Sequence, residues 1–596
     1  RYPLGTGRNV RTNPRPLSEN SSPNFDARNM QKFGTVSGKI EITGNEAIRN
    51  IYSPSHKIEF SRKGEKTGVV SFETNGDNSD FQLFYGLSNN DFGMSLLTYR
   101  EPGKDGYFLL QLSPKDNLTE RELANKDIVF VLDTSGSMAE EGKMEKARSA
   151  LLFGIASLRT DDRFNVINFA GEEHLMESGL IAADSQGKKR GEEFVKKLAP
   201  TGGTNINDAL LAALRQFDTT DRPKMLVFMT DGLPTVGESN VEKIIANSKT
   251  VRVEGLRLFT FGVGYDVNTR LLDKLAGENS GVADYVEPKE NLEVKVSNFF
   301  TKVNSPVLTD LEMDFGGVET ELLYPRSLTN IFKGSQLTLI GRYKNAGGME
   351  NVTLRLKGKT GKETRNFNYT RLTFPMRAED NNFLPRLWAT RRVGWLVEQI
   401  RSNGENKELR DEIVDLGTRY GIVTPYTSYL ATDGSEREIS RFQNQRIDNN
   451  SVIVQSDSSA IGTGSGSGIG RGIGDVFKRR PSARPEQNQA ATGQTAVRAS
   501  KNSQAQQSTE TVISADDEVI KSGTVKKIGA KTFYLENDVW IDSEFKEEAK
   551  LAETKLQFAS NEFFDLIKKE KDLARYFSVG EQVVLVWRGR IYRIVK

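Results

Sequence analysis

The stretch Asp127-Ile-Val-Phe-Val-Leu-Asp-Thr-Ser-Gly-Ser137 decides the fold. Ile128–Leu132 is an unbroken apolar run, the pattern of a strand buried on both faces of a parallel sheet. Helical and strand patterns then alternate. Met144–Leu158 reads as a helix, Arg163–Phe169 as a strand, and Gly191–Leu198 and Ile206–Phe217 as helices. Lys224–Met229 is a second buried strand, followed by a helix at Val241–Thr250 and a strand at Leu256–Phe261. Thr269–Ala276 and Asn291–Val303 read as the last helices. Alternation of this kind predicts an α/β domain with a doubly wound parallel sheet over residues 126–305.

Outward from this domain the patterning changes. Residues 1–30 are rich in Pro, Asn, Arg and Ser and read as an extended arm. Short period-2 segments separated by Gly, Asn and Asp recur from Thr35 to Ser113, which predicts antiparallel β structure in residues 1–125. Strand patterning returns from Pro306 to Phe374, and two amphipathic helices follow at Phe383–Arg401 and Glu405–Tyr420. These make a β region plus helical pair over 306–432. Residues 433–511 read as a flexible linker built around Gly462-Thr-Gly-Ser-Gly-Ser-Gly468. Residues 512–596 regain strands and one helix and predict a small α+β module. An apolar stripe of Leu387, Trp388, Val393, Trp395, Leu396 and Ile400 is expected to pack on the β region.

The chemistry concentrates where the first buried strand ends. Asp133, Ser135 and Ser137 place a carboxylate and two hydroxyls two residues apart, and Gly136 allows a tight loop. In a doubly wound sheet, ligands bind beyond the carboxyl ends of the strands. Two more segments bring oxygens to that end: Thr201-Gly-Gly-Thr204-Asn205 ahead of a helix, and Thr230-Asp231-Gly232 after the strand Lys224–Met229. The set has carboxylates and hydroxyls but no nitrogen or sulfur ligand, which suits a hard cation. Six-coordinate Mg²⁺ would take three hydroxyls, one or two carboxylates, some through water, and keep one open position. Mn²⁺ or Ca²⁺ are alternatives. With three neutral ligands the ion keeps residual positive charge, which favours a carboxylate from a partner in the open position.

This arrangement resembles the metal-ion-dependent adhesion site of von Willebrand factor A domains. The family's Asp-x-Ser-x-Ser pattern falls on Asp133, Ser135 and Ser137, its loop threonine on Thr204, and its Thr-Asp-Gly aspartate on Asp231. The flanks narrow the resemblance. Asp91-Phe-Gly-Met-Ser-Leu-Leu-Thr-Tyr-Arg100, Asp105-Gly-Tyr-Phe-Leu-Leu110 and Ser53-Pro-Ser-His56 are similar to parts of a vault/inter-α-trypsin (VIT) domain. Phe383-Leu-Pro-Arg-Leu-Trp-Ala-Thr-Arg391 and Tyr420-Gly-Ile-Val-Thr-Pro-Tyr-Thr-Ser428 are similar to the region after the A domain in inter-α-trypsin inhibitor heavy chains. The resemblance covers roughly residues 1–430 and points to a bacterial-type VIT plus von Willebrand A protein. It implies a VIT domain that begins upstream of Arg1, and export to the cell envelope or the extracellular space. The heavy chains' covalent coupling to hyaluronan is not implied, because no such processing site is present. Nor does anything here look like a protease-inhibitory loop.

Composition closes off other classes. The 596 residues carry 82 Lys+Arg against 80 Asp+Glu, a net charge of +2, so no basic excess points to nucleic acid. No cysteine is present, which excludes thiolate metal sites, disulfide frameworks and Cys nucleophiles. The only histidines are His56 and His174, and no Gly-x-Ser-x-Gly elbow surrounds a serine. Gly358-Lys-Thr360 lacks the first glycine of a P-loop, since position 353 is Thr353. No apolar run is long enough to span a bilayer as a helix. The expected function is therefore non-enzymatic: adhesion or scaffolding toward a protein that presents Asp or Glu. The alternative is an accessory subunit working with a separate AAA⁺ ATPase in assembly or metal insertion.

Overall fold

The computed structural model describes residues 35–426, 490–510 and 525–596, apart from 76–80, 116–117, 120–121, 252, 289, 291, 304, 529–530, 537, 547–550, 559, 571–572, 574–575 and 578. The expected arm at residues 1–30 and the Gly/Ser stretch at 462–468 lie outside these residues. The chain divides into two compact units, 1–404 with 489–513, and 405–488 with 514–596.

The first unit opens with strands β1 (Thr35–Thr43), β2 (Ile48–Tyr52), β3 (Ile58–Arg62), β4 (Thr67–Asn75) and β5 (Phe84–Leu87). They form a sheet in the order β1-β4-β3 and a separate β2-β5 pair. His56 is buried, its ring 5.5 Å from those of Phe72 and Phe81, which stack on each other. Strands β6 (Phe92–Tyr99) and β7 (Gly106–Pro114) follow and lead into the α/β domain.

That domain contains β8 (Asp127–Asp133), α1 (Lys143–Ser157), β9 (Arg163–Phe169), β10 (Glu173–Leu175), β11 (Ile181–Ala182), α2 (Ser185–Lys197) and α3 (Ile206–Leu214). It continues through β12 (Lys224–Thr230), α4 (Val241–Thr250), β13 (Leu256–Val263), α5 (Thr269–Glu278), β14 (Ala283–Val286) and α6 (Leu292–Val303). The sheet runs β10-β9-β8-β12-β13-β14, with β11 also on β9. Strands β9, β8, β12, β13 and β14 are parallel; β10 and β11 are antiparallel to β9. Side chains of β8 alternate between two cores. Ile128, Phe130 and Leu132 join the core that contains Met144, Leu151 and Phe300, whereas Val129 and Val131 join the one that contains Leu210, Ile244 and Leu271. Both faces are covered by helices, which is why the strand reads as a continuous apolar run. Gly154 of α1 lets α6 approach closely: a Cβ there would lie 2.7 Å from the Phe300 ring.

After the domain come β15 (Pro306–Asp314), β16 (Thr320–Tyr324), β17 (Ile331–Phe332), β18 (Leu337–Tyr343), β19 (Met349–Thr360) and β20 (Glu363–Phe374). Gly358–Thr360 ends a strand rather than forming a phosphate loop. The β regions before and after the α/β domain are interleaved, although their separation in sequence suggested independent parts. One sheet runs β16-β18-β7-β6 and the other β17-β15-β19-β20. Leu110 of β7 faces Leu339 of β18 in the ladder, and Phe108, Leu110, Leu337, Leu354 and Phe374 share one core. The Ala124 N–H donates to the Pro306 carbonyl at 2.9 Å, so the chain enters and leaves the α/β domain at one place. The domain is an insertion in a β-sandwich.

Helix α7 (Leu384–Asn403) buries Leu387, Trp388, Val393, Leu396 and Ile400, while Trp395 is half-buried. The Trp388 indole donates to the Leu322 carbonyl at 3.1 Å. In the second unit, α8 (Lys407–Tyr420) is capped by Asn406 and ends at Gly421, with φ of 59°. The remaining strands β21 (Val525–Ile528), β22 (Lys531–Glu536), β23 (Val539–Asp542), β24 (Ala552–Gln557), β25 (Val583–Trp587) and β26 (Arg590–Val595) form a sheet in the order β21-β22-β23-β25-β26-β24. Their core holds Phe533, Trp540, Phe563, Tyr576 and Trp587.

The expectation of a linker through residue 511 does not hold at its end. Gly493–Ser508 forms helix α9, packed in the first unit against α7, α5 and β14; in the second unit, helix α10 spans Asn561–Lys569. α9 has almost no apolar stripe and buries Ala496, Val497, Ser500 and Ser503. Hydrogen bonds fix it. Ser500 Oγ donates to the buried Asp273 carboxylate at 2.7 Å, which also accepts from Tyr285 Oη at 2.7 Å and Arg401 at 3.0 Å. Lys501 pairs with Glu287 and Glu290, and Ser503 Oγ donates to the Gly394 carbonyl at 2.8 Å.

Candidate metal centre

In the central sheet the strand order reverses at β8, which lies between β9 and β12. A crevice opens at such a switch point, outside the carboxyl ends of the strands. Asp133 is the last residue of β8, and Thr230 the last of β12. Asp133, Ser135, Thr204, Thr230 and Asp231 are buried, and Ser137 is exposed.

The loop after β8 is held by backbone bonds. The Thr134 N–H donates to the Phe169 carbonyl at 2.7 Å, the Thr201 N–H to the Thr134 carbonyl at 2.7 Å, and the Gly136 N–H to the Gly202 carbonyl at 3.1 Å. These bonds bind the Asp133–Ser137 loop to the segment carrying Thr204. Asn205 then caps α3, its side chain accepting from the Asp208 N–H. A third link joins Thr204 to the loop after β12: the Thr235 N–H donates to the Thr204 carbonyl at 2.9 Å, and the Thr204 N–H donates to Thr235 Oγ1 at 2.9 Å.

The side chains converge accordingly. Asp133 Oδ1 accepts from the Ser135 N–H at 2.8 Å, and Oδ2 accepts from Thr230 Oγ1 at 2.6 Å. The Ser135 and Ser137 hydroxyls are 3.1 Å apart, and Ser137 Oγ donates to Asp231 Oδ1 at 2.8 Å. Thr204 Oγ1 and Ser137 Oγ both border Gly232: a Cβ at that glycine would lie 3.4 Å from the first and 3.9 Å from the second. The five expected residues thus lie together at this end of the sheet. Burial pushes the Asp133 carboxyl up to about 6, with the Asp231 charge adding to it and the hydrogen bonds from Ser135 and Thr230 opposing it.

Two residues at this site were not singled out from sequence. Thr230 orients Asp133, and its hydroxyl also accepts from the Gly232 N–H at 3.2 Å. Lys143, at the start of α1, places Nζ 2.9 Å from Asp231 Oδ2. No motif spacing marks Lys143, because its reach depends on the turn at Gly136–Gly142.

The residues fit a hard divalent ion. Among the described residues there is no group of three or more His, Cys, Asp or Glu placed to hold a metal. A cation here would rest on two carboxylates and three hydroxyls, a set that oxygen-seeking Mg²⁺ accepts. The Lys143 ammonium is the cation that Asp231 pairs with in this structure.

Residues 127–301 match the model of the von Willebrand factor type A domain. This inserted domain is a von Willebrand factor type A domain. Beyond the A domain, the chain is similar to inter-alpha-trypsin inhibitor heavy chains. It is 28% identical over 384 residues to heavy chain 4 of Mus musculus, covering 61% of this chain and 39% of that one. It is 29% identical over 400 residues to heavy chain H3 of Homo sapiens, covering 63% and 44% respectively. The match thus spans about two-fifths of the length of these relatives. Among solved structures, a von Willebrand factor type A protein from Catenulispora acidiphila aligns over 56% of this chain and 88% of its own, with 16% identity and a TM-score of 0.41.

Proposed function

We propose that this chain is a non-catalytic, protein-binding scaffold of the cell envelope or extracellular space. Its A domain engages an acidic residue of a protein partner through Mg²⁺ held by Asp133, Ser135, Ser137, Thr204 and Asp231. The observation that carries the reading is the convergence of two buried carboxylates and three hydroxyls at the switch point of the A-domain sheet. Asp133 is locked by two hydrogen bonds and Asp231 is oriented by Ser137. The three hydroxyls contribute no net charge. A bound divalent ion supplies Lewis acidity toward one further oxygen, and the exposed Ser137 side of the site is where a partner's carboxylate would approach. Among the described residues no helix is long and apolar enough to cross a membrane.

Calorimetric titration of Mg²⁺ into the full chain and into Asp133→Ala tests this. The wild type is expected to show one saturable site, and the variant a loss of about a hundredfold or more in affinity, as expected when a buried charged ligand is removed. Equal affinity in the two proteins contradicts the assignment.

A further inference from the structure

We propose that Lys143 is a built-in counter-cation of this site: its ammonium occupies Asp231 in the metal-free protein and is displaced when a divalent ion binds. The inference rests on the metal reading above and adds to it a residue of this chain that sets how tightly the ion is held.

The first argument is geometric. Lys143 Nζ lies 2.9 Å from Asp231 Oδ2 and 3.4 Å from the Ser137 carbonyl. The other oxygen of the same carboxylate, Oδ1, accepts from Ser137 Oγ at 2.8 Å. The ammonium is therefore bonded to one expected metal ligand and to the backbone of another. The Asp231 side chain is fully buried and that of Lys143 only 12% exposed, so the pair is shielded from bulk water and from salt. A divalent ion on the same buried carboxylate would lie close enough to this ammonium to repel it.

The second argument concerns where the lysine sits. Lys143 is the first residue of α1, whose N-cap is Gly142 with φ of 68°. A cation in the first turn of a helix opposes the helix dipole, which favours acidic residues there. The left-handed turn at Gly142, which glycine adopts at low cost, sends the side chain back toward Asp231. The unfavourable position at the helix start is offset by this ion pair, and in the metal-free protein the ion pair also spares Asp231 from being an unpaired buried charge.

Metal binding is then an exchange of one cation for another rather than the filling of a bare acidic pocket. Glu140, Glu141 and Glu145 are exposed acidic neighbours in the same stretch of chain, available to the released ammonium. Removing Lys143 should tighten metal binding while lowering the stability of the metal-free protein, two effects that a purely structural lysine would not show together.

The test is Mn²⁺ binding to the full chain, followed by electron paramagnetic resonance, in wild type, Lys143→Met and Lys143→Arg, with thermal melts on the same samples. Lys143→Met is expected to bind Mn²⁺ about tenfold or more tightly, since a charge-assisted competitor has been removed. It should melt below the wild type without metal and recover with Mn²⁺. Lys143→Arg, which keeps a cation, should stay near the wild type. On the wild type itself, acetylation of Lys143 read by mass spectrometry should increase when Mn²⁺ is added, because the ammonium is released; this arm requires no variant to fold. Unchanged or weaker Mn²⁺ affinity in Lys143→Met, or unchanged or reduced labelling in wild type that does bind Mn²⁺, overturns this inference and leaves the metal reading standing. No Mn²⁺ binding by any of the three proteins overturns the metal reading and this inference together.

Discussion

At Asp133, burial works against the ionised carboxylate, the Asp231 charge adds to this, and the hydrogen bonds from Ser135 and Thr230 oppose it. Burial raises its carboxyl to about 6, so between about pH 4 and 6 the folded protein keeps a proton that the unfolded chain has released. The sign follows: stability from this group is highest below that window and falls as pH rises through it. Above about 6 the Asp133 carboxyl is ionised as well, while Lys143 pairs with Asp231. The gain in melting temperature from Mg²⁺ is therefore expected to be larger at about pH 7.5 than at about pH 5, where the metal must displace a proton from Asp133. Thermal melts with and without Mg²⁺ at the two pH values check this, and an equal gain at both would contradict it. The five expected ligands were legible because each sits beside an element with a strong sequence pattern: Asp133 ends an apolar strand run, Thr204 precedes a helix, and Asp231 follows another apolar strand. Lys143 was not legible. A lone lysine at a helix start has no periodicity or spacing, and only the folded turn brings it to Asp231.

Among the elements, α9 shows what patterning conceals. Its sequence, Gly493-Gln-Thr-Ala-Val-Arg-Ala-Ser-Lys-Asn-Ser-Gln-Ala-Gln-Gln-Ser508, has the composition of a solvated linker. The buried face is made of small residues, and its partners are the polar groups Asp273, Arg401, Tyr285 and the Gly394 carbonyl. Apolar periodicity cannot reveal a helix held in this way. Close approach to α7 depends on Gly394, where a Cβ would meet Gln506 Cβ, the Gln507 nitrogen and the Ser503 carbonyl at 2.9 Å. Two of those atoms are backbone, so α9 as a whole would have to move. Gly394→Val is expected to destabilise the first unit by about 1–3 kcal/mol, typical of an overpacked contact. Amide exchange should accelerate over residues 493–508 while strands β8 and β12 stay protected. Unchanged exchange in α9 would show that the helix does not depend on this contact. The short strands β10, β11 and β24 were missed for a different reason: none buries a continuous apolar face, and β24 alternates exposed and half-buried residues.

On the scale of the whole molecule, the A domain is inserted into a sandwich whose strands come from both sides of it. Each half of that sandwich has clear period-2 patterning, so its strands were legible, but their pairing was not. Nothing local in β7 announces that its ladder partner is β18, beyond an entire domain. The single-point connection at Ala124 and Pro306 leaves the switch-point end of the A-domain sheet free of the β-sandwich attachment: Asp127 N–H bonds Pro223 at the opposite end, beside that connection, while Asp133 and Thr230 end their strands away from it. This polarity keeps the proposed site clear of the sandwich, as the binding role proposed above requires. The most direct measurement is anomalous diffraction from crystals of the full chain soaked in Mn²⁺. The account predicts one strong peak within bonding distance of the Ser135, Ser137 and Thr204 hydroxyls, between Asp133 and Asp231, with Lys143 turned away. Ordered water at that point under saturating Mn²⁺, with Lys143 still on Asp231, would contradict it.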